Sequence, residues 1–139
     1  MFPAGYQNDK LAKFITDFYA ASDTRPPAEG AGHDKYLNFF TEDAKVHIRA
    51  DANGHKELVP FRQNMWKGIA NRKHTIYQVC PFSPKDAEQQ EVMIRGEVQL
   101  LKEGENKPIA TEWAGWALFA PNKDGKDAYK MQDYRVYMA

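Results

Sequence analysis

Residues 91–119 read EVMIRGEVQLLKEGENKPIATEWAGWALF, two long runs of alternating side chains joined by Glu103-Gly104-Glu105-Asn106. In the first run Val92, Ile94, Gly96, Val98 and Leu100 share one side, leaving Met93, Arg95, Glu97 and Gln99 on the other. Side chains alternate between the two faces of a strand, so the apolar set must meet the core. Glu97 is then directed outward, to solvent or to a second copy of the chain. The second run, Ile109 to Phe119, sets Thr111, Trp113, Gly115 and Ala117 against Glu112, Ala114, Trp116 and Leu118. Both of its faces are fairly apolar. That predicts cover on the outer side as well, as in a homodimer built sheet on sheet.

Two further strands flank this hairpin, His74 to Val79 before it and Lys130 to Met138 after the Asp124-Gly125 turn. Pro81 to Gln90, with Pro84, is expected to be a loop or bulged connection. Upstream the period changes. Leu11, Phe14, Ile15, Phe18 and Tyr19 make a helical apolar stripe that Asn8 or Asp9 can cap. The run Thr24 to Gly32, with two prolines and two glycines, ends it. Asp34 can cap a second, short helix carrying Tyr36, Leu37, Phe39 and Phe40. Ala44, Val46 and Ile48 alternate with Lys45, His47 and Arg49 as a half-buried strand, and a loop with Asn53-Gly54 follows. Leu58, Phe61, Met65 and Ile69 restore helical spacing, with Pro60 in a first turn. Helices early and strands late predict one α+β domain over residues 1–139: a curved antiparallel sheet with three helices on one face, enclosing an apolar pocket.

Composition narrows the function classes. Nineteen basic and nineteen acidic residues cancel, with no basic stripe of the kind nucleic-acid binding requires. The lone Cys80 excludes an internal disulfide and any multi-cysteine zinc site. No pair among His33, His47 and His55 has the spacing of metal ligands. No apolar run approaches the roughly 18 residues a membrane helix needs, and no basic-then-apolar leader opens the chain, so a soluble cytoplasmic protein is the expectation. Three Trp, seven Tyr and eight Phe are enough to fill a core or line a ligand cavity.

Three stretches carry a family resemblance. Tyr36-Leu37-Asn38-Phe39-Phe40-Thr41-Glu42-Asp43-Ala44-Lys45-Val46 is an aromatic pair, an acidic dipeptide and a strand. Arg72-Lys73-His74-Thr75-Ile76 runs from a helix into a strand opening on histidine. Tyr129-Lys130-Met131-Gln132-Asp133-Tyr134 begins the last strand. With the order of elements, they resemble the NTF2-like superfamily, particularly its SnoaL-like polyketide-cyclase branch. The resemblance implies a cone-shaped barrel with a cavity between sheet and helices, and frequent dimerisation. Its members include cofactor-free isomerases, dehydratases, cyclases and epoxide hydrolases, alongside proteins that only bind, so the fold alone does not decide the function.

His74 heads the candidate catalytic residues. A neutral imidazole accepts a proton and returns it, as isomerisation or dehydration requires. The resemblance implies a pocket histidine at the matching point of scytalone dehydratase-like relatives. The plainer alternative is a histidine satisfied by a backbone carbonyl. Asp133 is the second candidate, to donate a proton or to orient His74; the alternative is an outward Asp133 paired with Arg135 or a lysine. Met131, Asp133, Arg135, Tyr137 and Gln132, Tyr134, Val136, Met138 are equally good inward sets. For substrate binding, Gln78 shares the His74 face. Arg62 and Trp66, one turn apart, can offer a donor and a ring to a carbonyl or enolate, with packing and a surface cation as the alternative. Trp113 beside Gly115 leaves room for a flat ligand, and Tyr134 can donate to a developing oxyanion.

The pattern also departs from some relatives. Positions matching the catalytic tyrosine, base and buried acid of ketosteroid isomerase-like proteins fall near Phe18, Ile48 and Gly115, none of which can do that work. The Asp-Arg-Asp set of limonene epoxide hydrolase-like proteins has no counterpart. The expectation is a cofactor-independent isomerase, cyclase or dehydratase acting on a polycyclic polyketide- or terpenoid-type metabolite. The rivals are a small-molecule carrier using the same pocket, and a dimerisation module with its pocket filled by side chains.

Overall fold

The computed structural model describes residues 1–123 and 128–138, so the Asp124-Gly125 turn lies outside the described residues. Helix α1 (Asp9–Ser22) starts where expected. The Asn8 side chain accepts from the Leu11 amide at 3.1 Å, and the whole predicted stripe is buried. Asp34 likewise caps the next element through the Tyr36 amide at 3.1 Å, but that element is a single 3-10 stretch, Lys35–Phe39. Among the described residues, two α-helices therefore stand where three helices were predicted.

The strands are β1 (Phe40–Ile48), β2 (Ala50–Asn53), β3 (Ile69–Pro81), β4 (Gln90–Lys102), β5 (Ile109–Pro121) and β6 (Tyr129–Met138). They form one open sheet in the order β2-β1-β6-β5-β4-β3. All pairs are antiparallel except β1 with β6, which run parallel. The sheet is thus mixed rather than wholly antiparallel. Side-chain alternation carries no information about strand direction, which the crossover through the second helix settles. That helix, α2 (Gly54–Met65), begins four residues before Leu58, so Pro60 sits inside it rather than in its first turn. Residues expected as loop are instead the short strand β2. Gly54 makes the tight entry into α2 with φ +79°, and a Cβ there would lie 3.1 Å from the Glu42 carbonyl.

The inner face of the sheet carries Val79, Val92, Ile94, Val98, Trp113, Ala117, Phe119, Met131, Tyr134 and Val136 into one core with the stripe of α1. The predicted alternation along 91–119 holds, and Glu97 faces outward, accepting from the Tyr77 hydroxyl. Gly96 has a packing reason. A Cβ there would sit 2.4 Å from the Thr75 carbonyl and 3.0 Å from the Trp113 ring.

Of the register shifts among the described strands, two bulges reverse alternation at predicted site residues. In β3 the register slips between Ile76 and Gln78, leaving Tyr77 as the extra residue. One inserted residue exchanges the faces of everything beyond it. Val79 is therefore buried and Gln78 exposed, off the His74 face. In β6 Met131 pairs with Phe119 and Asp133 with Leu118, so Gln132 is the extra residue. Met131 then faces inward, and beyond the bulge Tyr134 and Val136 do too. Neither predicted inward set is right as a whole, because the strand changes face within its length.

On the outer face Trp116 is half covered by its own chain. Its Nε1 donates to Glu91 Oε2 at 2.7 Å, and the Arg135 guanidinium lies 5.7 Å from its ring. No helix of the described residues is long and apolar enough to cross a membrane.

Candidate functional site

The stripe of α1 ends in Tyr19 and Ser22, and Asp23 caps it at the C-terminus. A carboxylate is poorly placed there, since the end of a helix favours cations. Its partner lies across the fold at the inner face of β3. Asp23 Oδ1 is 2.5 Å from His74 Nδ1, and Asp23 Oδ2 accepts from the His74 amide at 2.9 Å. Side-chain exposures of 12% for His74 and 14% for Asp23 keep the pair largely out of water. With Nδ1 donating to the carboxylate, Nε2 carries the lone pair, and it has no partner among the described residues. The orientation is that of a general base held in one tautomer by an acid.

The His74 ring lines a cavity that also receives Ser22, Tyr36, Arg72, Trp113 and Tyr134, closed by apolar side chains such as Met65, Leu100 and Met138. Water-sized space inside it amounts to about 50 Å³, room for a few waters. The aromatic wall is continuous: Tyr19 packs 5.0 Å from the His74 ring and 5.4 Å from Trp113, and Trp113 meets His74 edge-on at 5.7 Å. Tyr19 and Tyr134 share a hydrogen bond at 2.9 Å. Burial raises the pKa of both phenols, and Tyr36 is pushed up to about 12 by burial, with Arg62 and Arg72 pulling the other way. All three therefore stay protonated around neutral pH. They are available as hydrogen-bond donors.

The predicted residues separate into two groups. His74, Trp113 and Tyr134 meet at the cavity. Gln78 does not, for the bulge reason given above. Asp133 lies on the outer side with its carboxylate on Arg135, Oδ1 to Nε 3.2 Å, beside Lys45, His47 and Asp51 in a separate groove. The acid beside His74 is Asp23 instead. Arg62 is neither a surface cation nor a ligand donor. It is buried, spending its guanidinium on Asp34 and on the carbonyls of Ala21, Ser22 and Thr24. Trp66 sits between the Arg25 and Arg72 guanidinia at 5.1 and 5.3 Å, lining an outer groove. The gap predicted beside Trp113 is occupied by Trp113 itself, whose ring is seated on Gly96 and Gly115. The remaining histidines have local partners: His33 with Asn38, His47 with Asp51, and His55 with the Phe40 carbonyl.

Sequence reasoning passed over Asp23, Tyr19, Tyr36 and Arg72. The misplaced acid at the end of α1 was the available signal for the first, because a local rule broken without local gain often marks a functional site.

An open curved sheet wrapped on helices around a cavity is the NTF2-like fold, and this chain has it. No family model and no curated protein matches the sequence. Solved structures do match by shape. A candidate scytalone dehydratase from Novosphingobium aromaticivorans has a TM-score of 0.74 at 12% identity, over 94% of this chain and 83% of that one. ActVI-ORFA from Streptomyces coelicolor has 0.71 at 13%, over 94% and 95%. A LinA-type3 hexachlorocyclohexane dehydrochlorinase from Novosphingobium barchaimii has 0.71 at 12%, over 94% and 84%. At such identities the likeness is one of fold alone.

Proposed function

We propose that this chain is a cofactor-free enzyme of the isomerase, cyclase or dehydratase type, with His74 as its general base and acid. The observation that carries this is the Asp23–His74 pair at 2.5 Å, with His74 on the wall of a cavity that Tyr36, Trp113 and Tyr134 also line. His74 Nε2 takes a proton from substrate carbon. The imidazolium is then stabilised by Asp23 and returns the proton to another carbon, or to a departing hydroxyl. Tyr134 and Tyr36 supply neutral donors to negative charge developing on substrate oxygen. The dehydratase and dehydrochlorinase among the fold relatives bear names consistent with proton removal coupled to departure of a leaving group.

The size of the cavity refines the substrate. Drug-sized ligands occupy roughly 300–1,000 Å³, well beyond the enclosed space here. A compact, single-ring substrate fits this reading better than the polycyclic metabolite expected from the resemblance, because it asks for a smaller shift of Met65, Leu100 or Met138. The test is deuterium exchange in heavy water, read by mass spectrometry over a panel of compact cyclic carbonyl compounds with a β-hydroxyl group. The wild-type chain should exchange or dehydrate at least one of them, and His74→Ala should lose that activity. Equal exchange by both proteins would remove His74 from the mechanism, and binding without exchange would make the chain a carrier.

We also infer that a second copy covers the outer sheet face. Rings at Tyr77, Trp116 and Tyr137 alternate there with Glu91, Glu97, Arg95 and Arg135, charges of both signs that a two-fold axis can pair. Sedimentation equilibrium should give twice the 15.9 kDa chain mass; a monomer at every concentration rules the pairing out.

A further inference from the structure

Arg72 stands two residues before His74 on the same face of β3 and lines the same cavity. Its guanidinium is fixed from one side only. The NH2 group donates to the Met65 carbonyl at the end of α2 at 2.7 Å, and the plane lies 5.3 Å from the Trp66 ring. Its Nε–H is buried without a hydrogen-bond partner, and among the described residues Arg72 makes no ion pair. Of the charged groups around it, Asp23 attracts and Arg62 repels, but both are committed elsewhere, to His74 and to Asp34. Burial lowers the Arg72 pKa from its ordinary value, as an under-compensated charge requires.

The neighbouring polar groups have the same bias. The Tyr36 hydroxyl lines the cavity with no partner among the described residues and stays protonated. Trp113 Nε1–H is buried and unpartnered. Two donors that are buried without a partner among the described residues, one of them cationic, thus belong to residues that line the cavity together with Tyr36 and His74. A buried donor left without a partner costs on the order of 1–3 kcal/mol, more when charged. A donor set of this kind is complementary to an anion.

We propose that this cavity selects a compact carboxylate, its oxygens taken by Arg72 Nε–H and Tyr36 O–H, with the adjoining carbon presented to His74. The assignment of the carbon to His74 rests on the base role proposed above; the carboxylate site itself does not. Arg72 is then a specificity residue, choosing acids over neutral analogues of the same shape.

The experiment is isothermal titration with a size series of simple carboxylates, from acetate through crotonate to benzoate, each against its primary amide. At least one acid should bind the wild-type chain about tenfold or more tighter than its amide. Arg72→Gln should weaken that acid by about ten- to a hundredfold while leaving the amide unchanged, since charge-assisted bonds are the stronger ones. Arg72→Lys should recover part of the loss. Should Arg72→Gln fail to fold, Tyr36→Phe serves, with a smaller loss confined to acids. Absence of any binding acid, equal binding of acid and amide, or indifference to both substitutions overturns the proposal. His74→Gln separates the two claims. Acid binding that survives in His74→Gln, when the wild-type chain itself exchanges no deuterium, keeps the site and discards the base. Exchange on neutral compounds alone does the reverse.

Discussion

Asp23→Asn should lower turnover by about a thousand- to ten-thousandfold on whichever compound the wild-type chain deuterates, with little change in KM. The carboxylate accepts from His74 Nδ1 at 2.5 Å and so leaves Nε2 as the lone-pair nitrogen. An amide in that place can donate to Nδ1, which moves the ring proton to Nε2 and removes the base. The imidazolium formed in the transition state also loses its counter-charge. The fold should tolerate the change, because the Asn carbonyl can still accept from the His74 amide, now at 2.9 Å from Asp23 Oδ2. Steady-state kinetics on folded protein, checked by circular dichroism, gives the comparison. Turnover within about tenfold of wild type, a small fraction of the expected effect, would mean that Asp23 is a strand clamp and nothing more. A matching loss in Asp133→Asn would restore the acid that sequence reasoning favoured. The geometry predicts no such loss, since Asp133 faces the other side of the sheet.

Arg62→Ala should cost about 3–5 kcal/mol of folding stability, the range for removing one partner of a buried ion pair. The side chain is 1% exposed and its Asp34 partner 16%. It ties three parts of the chain together: Nε to Asp34 at 3.1 Å, NH1 to the Ser22 carbonyl at 3.3 Å, and NH2 to the carbonyls of Ala21 and Thr24 at 3.3 and 2.8 Å. The guanidinium also lies 4.2 Å from the Tyr36 ring centroid. Truncation leaves the Asp34 carboxylate without its cation, with only the Tyr36 amide on Oδ1, and takes the side-chain donor from the Ser22 and Thr24 carbonyls, besides opening a cavity. Against the 5–15 kcal/mol that holds a typical domain together, this is a large share. Urea unfolding of Arg62→Ala, Asp34→Asn and the double variant measures it. The double variant should lose much less than the sum, because the unpaired charge is the main cost. A single-variant loss under about 1 kcal/mol, the size of an exposed pair, would mean water reaches the site and Arg62 is no clamp.

The same clamp explains part of what sequence reasoning missed. Arg62 was weighed as a ligand donor because helical spacing sets it one turn from Trp66, and nothing in that spacing shows the carbonyls of a distant helix end. Its partner Asp34 was legible, but only as a cap. Tyr36 and Arg72 entered the reading as parts of patterns, a helical aromatic and a strand start. Their unmet donors exist only in relation to each other.

Local periodicity was sufficient for much of the fold. The α1 stripe with its Asn8 cap, the Asp34 cap and the strands after residue 73 follow from side-chain spacing and backbone donors within a few residues, whereas Ile69, expected in a helix, opens β3 (Ile69–Pro81). The inward side of β4, with Gly96 as its small member and Glu97 outward, follows from a period of two. His74 and Trp113 were also identifiable as cavity candidates from strand spacing, whereas the facing of Tyr134 stayed open until the structure fixed it. Strand direction, the parallel β1–β6 pair and the two bulges did not follow. Alternation is blind to direction, and a bulge reveals itself only in the register against a neighbouring strand. The bulges sent Gln78 and Asp133 outward, and tertiary packing brought Asp23, 51 residues away, to His74. A catalytic pair is a through-space relation between two elements, and the order of residues along one chain does not contain it until those elements pack.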